Sequence, residues 1–465
     1  MNVIVVGAGP AGVFAARRAA DLGAKATLIT RSEFGGTAAN DGPVPVRTLA
    51  HAARLIRNAR ELGRYGISVS EPDLDYPRLL VRVAEVVNDV RAKSFGRADV
   101  DGLGVTVHEQ AGIARFVDPH TIETESGLRL QADKFILCAG GTSRRLPVPG
   151  FELTATHSDA WGLTAVPASM LVVGAGATGV QLASIFSAFG SRVVLFQAGP
   201  RILASEDADV SAEVAAAFRA SGIVVRERFG TIESFEPAPS GVRMVFSNNG
   251  ARDSAEAEIA VVAVGWVADT AGLNLAAAGV EADARGYVRV DPFLRTSAQH
   301  VFAAGDITGR MMLVPQAIHD GYVAATNAVR GPSTLGDQVS PVGSFTDPEY
   351  AQVGLTEEQA RARHDVVVAV VRFDETTRTI IDGLTAGFCK LIADRATCTI
   401  VGCHVVGERA VEIVQVVAIA MSAGMKVDDL ARVPLSFPTY AGILARAAYD
   451  AAKQLGLDVS EQVEE

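Results

Sequence analysis

Two short glycine clusters constrain this chain more than any other feature. Gly7-Ala8-Gly9-Pro10-Ala11-Gly12 follows the apolar run Val3 to Val6, and Gly174-Ala175-Gly176-Ala177-Thr178-Gly179 follows Met170 to Val173. After each cluster comes a helix-forming stretch, to Leu22 and to Phe189, and then another apolar run, Lys25 to Ile29 and Arg192 to Phe196. A strand that turns through GxGxxG into a helix has a physical reason for each glycine. The first (Gly7, Gly174) permits the tight turn. The second (Gly9, Gly176) lets backbone approach a pyrophosphate, and the third (Gly12, Gly179) lets helix and strand pack closely. The phosphates rest on the helix N-terminus, where free N–H groups and the helix dipole favour anions. Two such units about 167 residues apart predict an α/β chain with two dinucleotide sites.

A length of 465 residues leaves room for about three domains, and 49% hydrophobic residues supply their cores. The net charge of -11 argues against a general nucleic-acid binder, which needs a basic footprint. Met1 to Val6 enters a strand rather than a secretory signal. The most apolar long segment, Val411 to Met425, is interrupted by Glu412 and Gln415 and reads as a buried helix, not a membrane span. The expected location is the cytoplasm, with no integral membrane segment. The four cysteines, Cys138, Cys389, Cys398 and Cys403, do not resemble a secreted disulfide framework. Cys398 to Cys403 reads as a strand, and positions five apart on a strand face opposite sides. Unrelated core cysteines are the expectation there, and no metal site is expected.

Gly35-Gly36-Thr37-Ala38-Ala39-Asn40-Asp41-Gly42-Pro43-Val44-Pro45-Val46-Arg47 resembles the redox segment of the class I pyridine nucleotide-disulfide oxidoreductases, the lipoamide dehydrogenase, glutathione reductase and mercuric reductase group. That segment reads GGTCLNVGCIPSK in the family, and its two cysteines form a disulfide beside a flavin. Ala38 and Pro43 occupy the two cysteine positions, and neither forms the thiolate that disulfide exchange requires. Near the C-terminus the family reads HPTxxE, an acid/base histidine with its orienting glutamate. This chain has Phe437-Pro438-Thr439-Tyr440-Ala441-Gly442. The family's lysine–glutamate ion pair beside the flavin falls on Arg47 and Gln181. The resemblance thus implies a family member stripped of its redox-active cysteine pair and of the C-terminal His-Glu dyad.

The resemblance implies two Rossmann-like dinucleotide-binding domains plus a C-terminal α+β dimerisation domain. The expected boundaries are 1–150 with 271–335 for FAD, 151–270 for NAD(P), and 336–465 for the interface. FAD would be held by Gly7, Gly9, Pro10, Ala11 and Gly12. Thr30 and Arg31 follow at the end of the second strand, where the family's ribose-binding acid is replaced by Thr30; Glu33 is near enough to substitute. Gly36, Thr37 and Arg47 come from the redox segment, and Ala139 and Gly140 from the segment Lys134 to Thr142. Gly305 and Asp306 stand in the second flavin fingerprint, with Asp306 on the ribityl chain. Pro315, Gln316 and Ala317 open a helix that faces the flavin pyrimidine ring. NAD(P) would be held by Gly174, Gly176, Ala177, Thr178, Gly179, Gln181, Gln197 and Gly265. Gln197 carries neither the acid that favours NAD nor the arginine that favours NADP, so NADH and NADPH stay open.

From about Pro341, Thr346-Asp347-Pro348-Glu349 and Gly387 to Leu391 resemble the dimerisation domain, which implies a homodimer whose subunits complete each other's sites. The acceptor pocket would then be lined by Ala38 and Pro43 and, from the partner, by residues at positions 437 and 440, Phe437 and Tyr440. Arg47, Gln181 and Tyr440 are the candidate catalytic residues. His51 and His319 read as structural, and no strong general acid is expected in the slot. The function implied is an NAD(P)H-dependent FAD oxidoreductase that passes electrons to a small acceptor, a quinone first, without a dithiol. A soluble transhydrogenase or diaphorase, a slow flavin-binding sensor and a cryptic dithiol of Cys398 and Cys403 are the rivals.

Overall fold

The computed structural model describes residues 1–93, 96–332 and 338–459. The first apolar run forms the strand Asn2–Val6, central in a five-stranded sheet. Lys25–Ile29 and Lys134–Leu137 flank it, and Thr106–His108 and Val301–Ala303 form the edges, all parallel. The helix Pro10–Asp21 leaves the first strand and packs on the helix Val314–Arg330. A side chain at Gly12 would place its Cβ 1.7 Å from the Gly7 carbonyl oxygen, so only glycine lets the helix start this close to the strand.

The second cluster repeats the construction. Ser169–Val173 lies between Arg192–Gln197 and Ile259–Val262 in a second five-stranded parallel sheet, with Val224–Glu227 and Ala155–Thr156 outermost. The helix Ala177–Ala188 follows Gly176. Here a Cβ at Gly179 would meet the Gly174 carbonyl oxygen at 1.8 Å. The antiparallel pair Gly141–Ser143 and Trp266–Ala268 ties the segment leaving the first sheet to the segment leaving the second.

The third sheet is antiparallel, in the order Val342–Ser344, Tyr350–Gly354, Ile400–Val406, Phe388–Asp394, Val366–Arg372. The helices Ala410–Ser422 and Gly442–Gln454 cover it, burying Ile413, Val414, Val417, Leu444 and Ala448. The apolar segment expected as a buried helix is the first of these. Among the described residues no helix is long and apolar enough to cross a membrane.

The expectation for Cys398 needs correction. The strand begins at Ile400, and Cys398 precedes it in a left-handed turn at φ 59°. The backbone reverses there because the Asp394 carboxylate accepts from the N–H groups of Ala396 and Thr397, which closes the turn between the two strands. Cys403 instead lies against Cys389 in the buried sheet, and that contact, reinforced by burial, raises the Cys403 thiol pKa. All four cysteines are free.

Candidate functional site

A cavity of about 860 Å³ runs from the first glycine cluster to the second unit. Its floor is the first parallel sheet's C-terminal edge: Gly7, Gly9, Pro10, Ala11, Thr30, Arg31, Ala139 and Gly140. Gly305, Asp306, Pro315 and Ala317 close one side, and Gly36, Thr37, Ala38, Pro43 and Arg47 the other. Thr178 and Gln181 reach it from the second unit. The sequence therefore placed most flavin candidates on one wall-to-wall surface. Gly12 lies beneath it, packed on Gly7. Gln316 is turned away, its amide donating to Asp320 at 2.8 Å.

The redox-like segment folds as two helices, Gly36–Asn40 and Pro43–Glu61. Ala38 is buried, and Pro43 starts the second helix, where its missing N–H costs nothing. Arg47, one turn further, lays its guanidinium over the Phe345 ring, 2.9 Å from the centroid. Desolvation lowers its pKa against the pull of Glu349 and Glu412, but a guanidinium stays charged in a protein. The Gln181 carbonyl accepts from the Phe345 N–H at 3.5 Å, and its amide donates to the Ala177 carbonyl at 3.1 Å. Phe345 thus joins Arg47 and Gln181, a link invisible across so many residues of sequence.

The residues fit a flavin dinucleotide. Asp306 lines the cavity, burial raises its carboxyl pKa, and among the described residues no hydrogen bond holds that carboxyl. A ribityl hydroxyl would supply the missing partner. Thr30 is occupied otherwise: its hydroxyl donates to the Ser32 carbonyl at 3.1 Å, within its own loop. Glu33 is ion-paired with Arg91, and Arg31 with Asp269 at 2.9 Å. Cys138 touches the cavity floor, but burial raises its thiol pKa steeply, so it is no nucleophile.

In the second unit Gln197 does not face outward to a ribose. Its carbonyl accepts from the Ala175 N–H at 3.2 Å and so braces the glycine loop. Gly174 and Gly265 both sit at positive φ, 99° and 109°, just past the strands Ser169–Val173 and Ile259–Val262, and neither lines the cavity.

Tyr440 and Phe437 lie outside this cavity in the single chain. The Tyr440 hydroxyl donates to Asp382 at 2.7 Å, and burial first, with that bond second, raises its pKa above that of a free phenol. Phe437 is 61% exposed beside a small cleft that includes Glu375, Leu435 and Arg446. His51 is exposed on its helix, and His319 is half-buried on the helix Val314–Arg330. Among the described residues no group of three His, Cys, Asp or Glu is arranged to hold a metal ion.

The expectation of a slot without an acid needs correction too. Asp41, between Ala38 and Pro43, lines the cavity, and its Oδ2 accepts from the Ser158 hydroxyl at 2.6 Å. Burial raises its pKa, and Asp159 adds to the effect while Ser158 opposes it. His157, Trp161 and Trp266 line the same region. The His157 ring lies 4.5 Å from the Trp266 ring, and its Nδ1 is 3.1 Å from the Ser143 hydroxyl. Burial lowers the His157 pKa to about 4. An acid within a glycine–alanine segment was the one sequence signal available for this group.

Comparison with known proteins agrees with this architecture. The family described as "Pyridine nucleotide-disulphide oxidoreductase" matches residues 1–321, and its dimerisation domain matches residues 340–448. The chain is 33% identical to a dihydrolipoyl dehydrogenase of Thermus scotoductus, over 97% of this chain and 98% of that one. It is 31% identical to a mercuric reductase of Lysinibacillus sphaericus, over 96% of this chain and 82% of the relative. Among solved structures, the HOCl-induced flavoprotein disulfide reductase RclA from Escherichia coli superposes with a TM-score of 0.85. The two share 26% identity over 97% of this chain and 99% of the other.

Proposed function

We propose a reaction for a chain that belongs to the pyridine nucleotide-disulphide oxidoreductase family: oxidation of NAD(P)H, with the electrons passed by way of FAD straight to a small acceptor, a quinone first among them. Members of the family are FAD-dependent and use NAD(P)H. The relatives named above are a dihydrolipoyl dehydrogenase, a mercuric reductase and a disulfide reductase. What separates this chain from a disulfide reaction is the pair of side chains at the slot, Ala38 and Pro43, neither of which carries sulfur.

FAD, when bound, supplies the two-electron carrier; the residues of this chain supply everything else. The N–H groups after Gly9 hold the pyrophosphate. Asp306 takes a ribityl hydroxyl. Arg47 brings a fixed positive charge that favours electron-rich states near it. The loop Gly174 to Gly179 takes the nicotinamide dinucleotide's phosphates. Ala38 and Pro43, with Phe437 and Tyr440 of a second copy, give an apolar slot suited to a flat ring.

One observation supports a second reading. Gln197 braces its own loop and leaves no acid to repel a 2′-phosphate. Both dinucleotides then fit the site, which suits a transhydrogenase. Anaerobic stopped-flow tests the two readings. Bleaching of the flavin by NADH or NADPH, followed by rapid reoxidation with a quinone that does not compete with the nicotinamide, is expected. Competitive inhibition between NADH and NADP with no quinone turnover supports the second reading. No bleaching within seconds defeats both.

A further inference from the structure

We propose that Asp41 is the proton donor of the acceptor slot and is itself resupplied from water through Ser158 and His157, an inference that rests on the direct-acceptor reading above. Asp41 follows the short helix Gly36–Asn40 and precedes Pro43, so its backbone position is fixed between the two slot residues. It shares the cavity with Ala38, Pro43, Arg47 and Gln181. Its bond to Ser158 spans 117 residues of sequence and joins the redox-like segment to the helix His157–Trp161. His157 Nε2 lies 3.5 Å from the Ser158 hydroxyl, and Nδ1 lies 3.1 Å from Ser143. The four side chains thus make one row of groups that each accept and donate.

The charges around the row suit a proton path. Burial and the Asp159 carboxylate both favour the protonated, neutral form of Asp41. The same burial favours neutral His157, with Asp159 opposing. A neutral imidazole presents one donor and one acceptor, so it relays a proton without holding a net charge. Arg47, on the helix that starts at Pro43, lines the same cavity with its guanidinium over the Phe345 ring.

The balance closes. NAD(P)H is oxidised to NAD(P)+, and the acceptor receives two electrons and one hydrogen from it. The second hydrogen is a proton: the Asp41 O–H bond breaks as an O–H bond forms on the acceptor. The carboxylate recovers a proton from water by way of Ser158. The sum is NAD(P)H, one proton and a quinone giving NAD(P)+ and a hydroquinone.

The test uses the FAD-loaded protein. Infrared difference spectra, wild type minus Asp41→Asn, titrated with pH, are expected to show a protonated-carboxyl band persisting above the ordinary aspartate range. Ser158→Ala, which removes the bond that favours ionisation, moves its midpoint higher still. A midpoint in the ordinary range, or one indifferent to Ser158→Ala, overturns the proposal. In rapid mixing, the ratio of benzoquinone to ferricyanide reoxidation rates falls roughly 100-fold in Asp41→Asn, because ferricyanide takes electrons without a proton. An unchanged ratio also overturns it. Failure of the direct-acceptor reading looks different: the wild type then reduces no quinone, and the infrared titration still decides the state of Asp41.

Discussion

Gly36→Ala is expected to loosen FAD far more than its size suggests. Gly36 has φ 58°, and an added Cβ would sit 2.6 Å from the Gly9 Cα and 3.1 Å from the Gly9 nitrogen. Carbon atoms rest about 3.5–4.0 Å apart, so the two loops must separate by about 1 Å. The left-handed conformation itself costs a non-glycine residue roughly 1–2 kcal/mol. Gly23 provides the control: its φ is 84°, and nothing lies within 4 Å of an added Cβ. Gly23→Ala therefore carries the conformational cost alone. Moving the Gly9 loop off a pyrophosphate forfeits a charge-assisted hydrogen bond, worth about 1.5–3 kcal/mol. At about 1.4 kcal/mol per tenfold, FAD affinity falls about 10- to 100-fold in Gly36→Ala and stays near wild type in Gly23→Ala. Flavin fluorescence titration of the apoproteins measures both. Equal affinities for the two variants would refute the argument that Gly36 and Gly9 are held in register by contact.

Lys390→Met should destabilise the protein by roughly 3–5 kcal/mol, since it leaves a buried carboxylate without its cation. Lys390 Nζ is 2.9 Å from the buried Asp207 and 2.8 Å from the half-buried Glu357, whereas Asp209 in the same cluster is 62% exposed. Asp209→Asn is therefore expected to cost about 1 kcal/mol or less by urea denaturation. His157 contributes an acid limb to stability. Its folded pKa of about 4 lies below the unfolded 6.5, so the folded form binds the proton less well. Stability is then complete above pH 6.5 and falls as pH drops toward 4, by at most about 3 kcal/mol. His157→Gln should flatten that limb, and denaturation midpoints across this range measure it.

The glycine clusters were legible because each reports a local demand: a turn, a backbone approach, a close helix start. The position of Asp306 was legible for a similar reason, because it closely follows the strand Val301–Ala303 where the chain turns. Asp41, His157 and Trp266 form their group across contacts between distant segments, and no local pattern encodes those. Gln197 was placed at the correct strand end, but its side chain folds back to Ala175, which only the register of strand against loop decides. Thr30 likewise lines the cavity but spends its hydroxyl within its own loop. Cys398 was misread because a strand-like composition runs through a hairpin turn set by Asp394. Phe437 and Tyr440 lie outside the cavity in the single chain, and their expected place in a partner's slot came from resemblance alone.

On the proposed direct transfer, no sulfur stands between the electron carrier and the acceptor. Titration of accessible thiols, in denaturant, before and after anaerobic two-electron reduction by NADH or NADPH, tests it directly. The same four thiols per chain are expected in both samples. A gain of two thiols on reduction would contradict it.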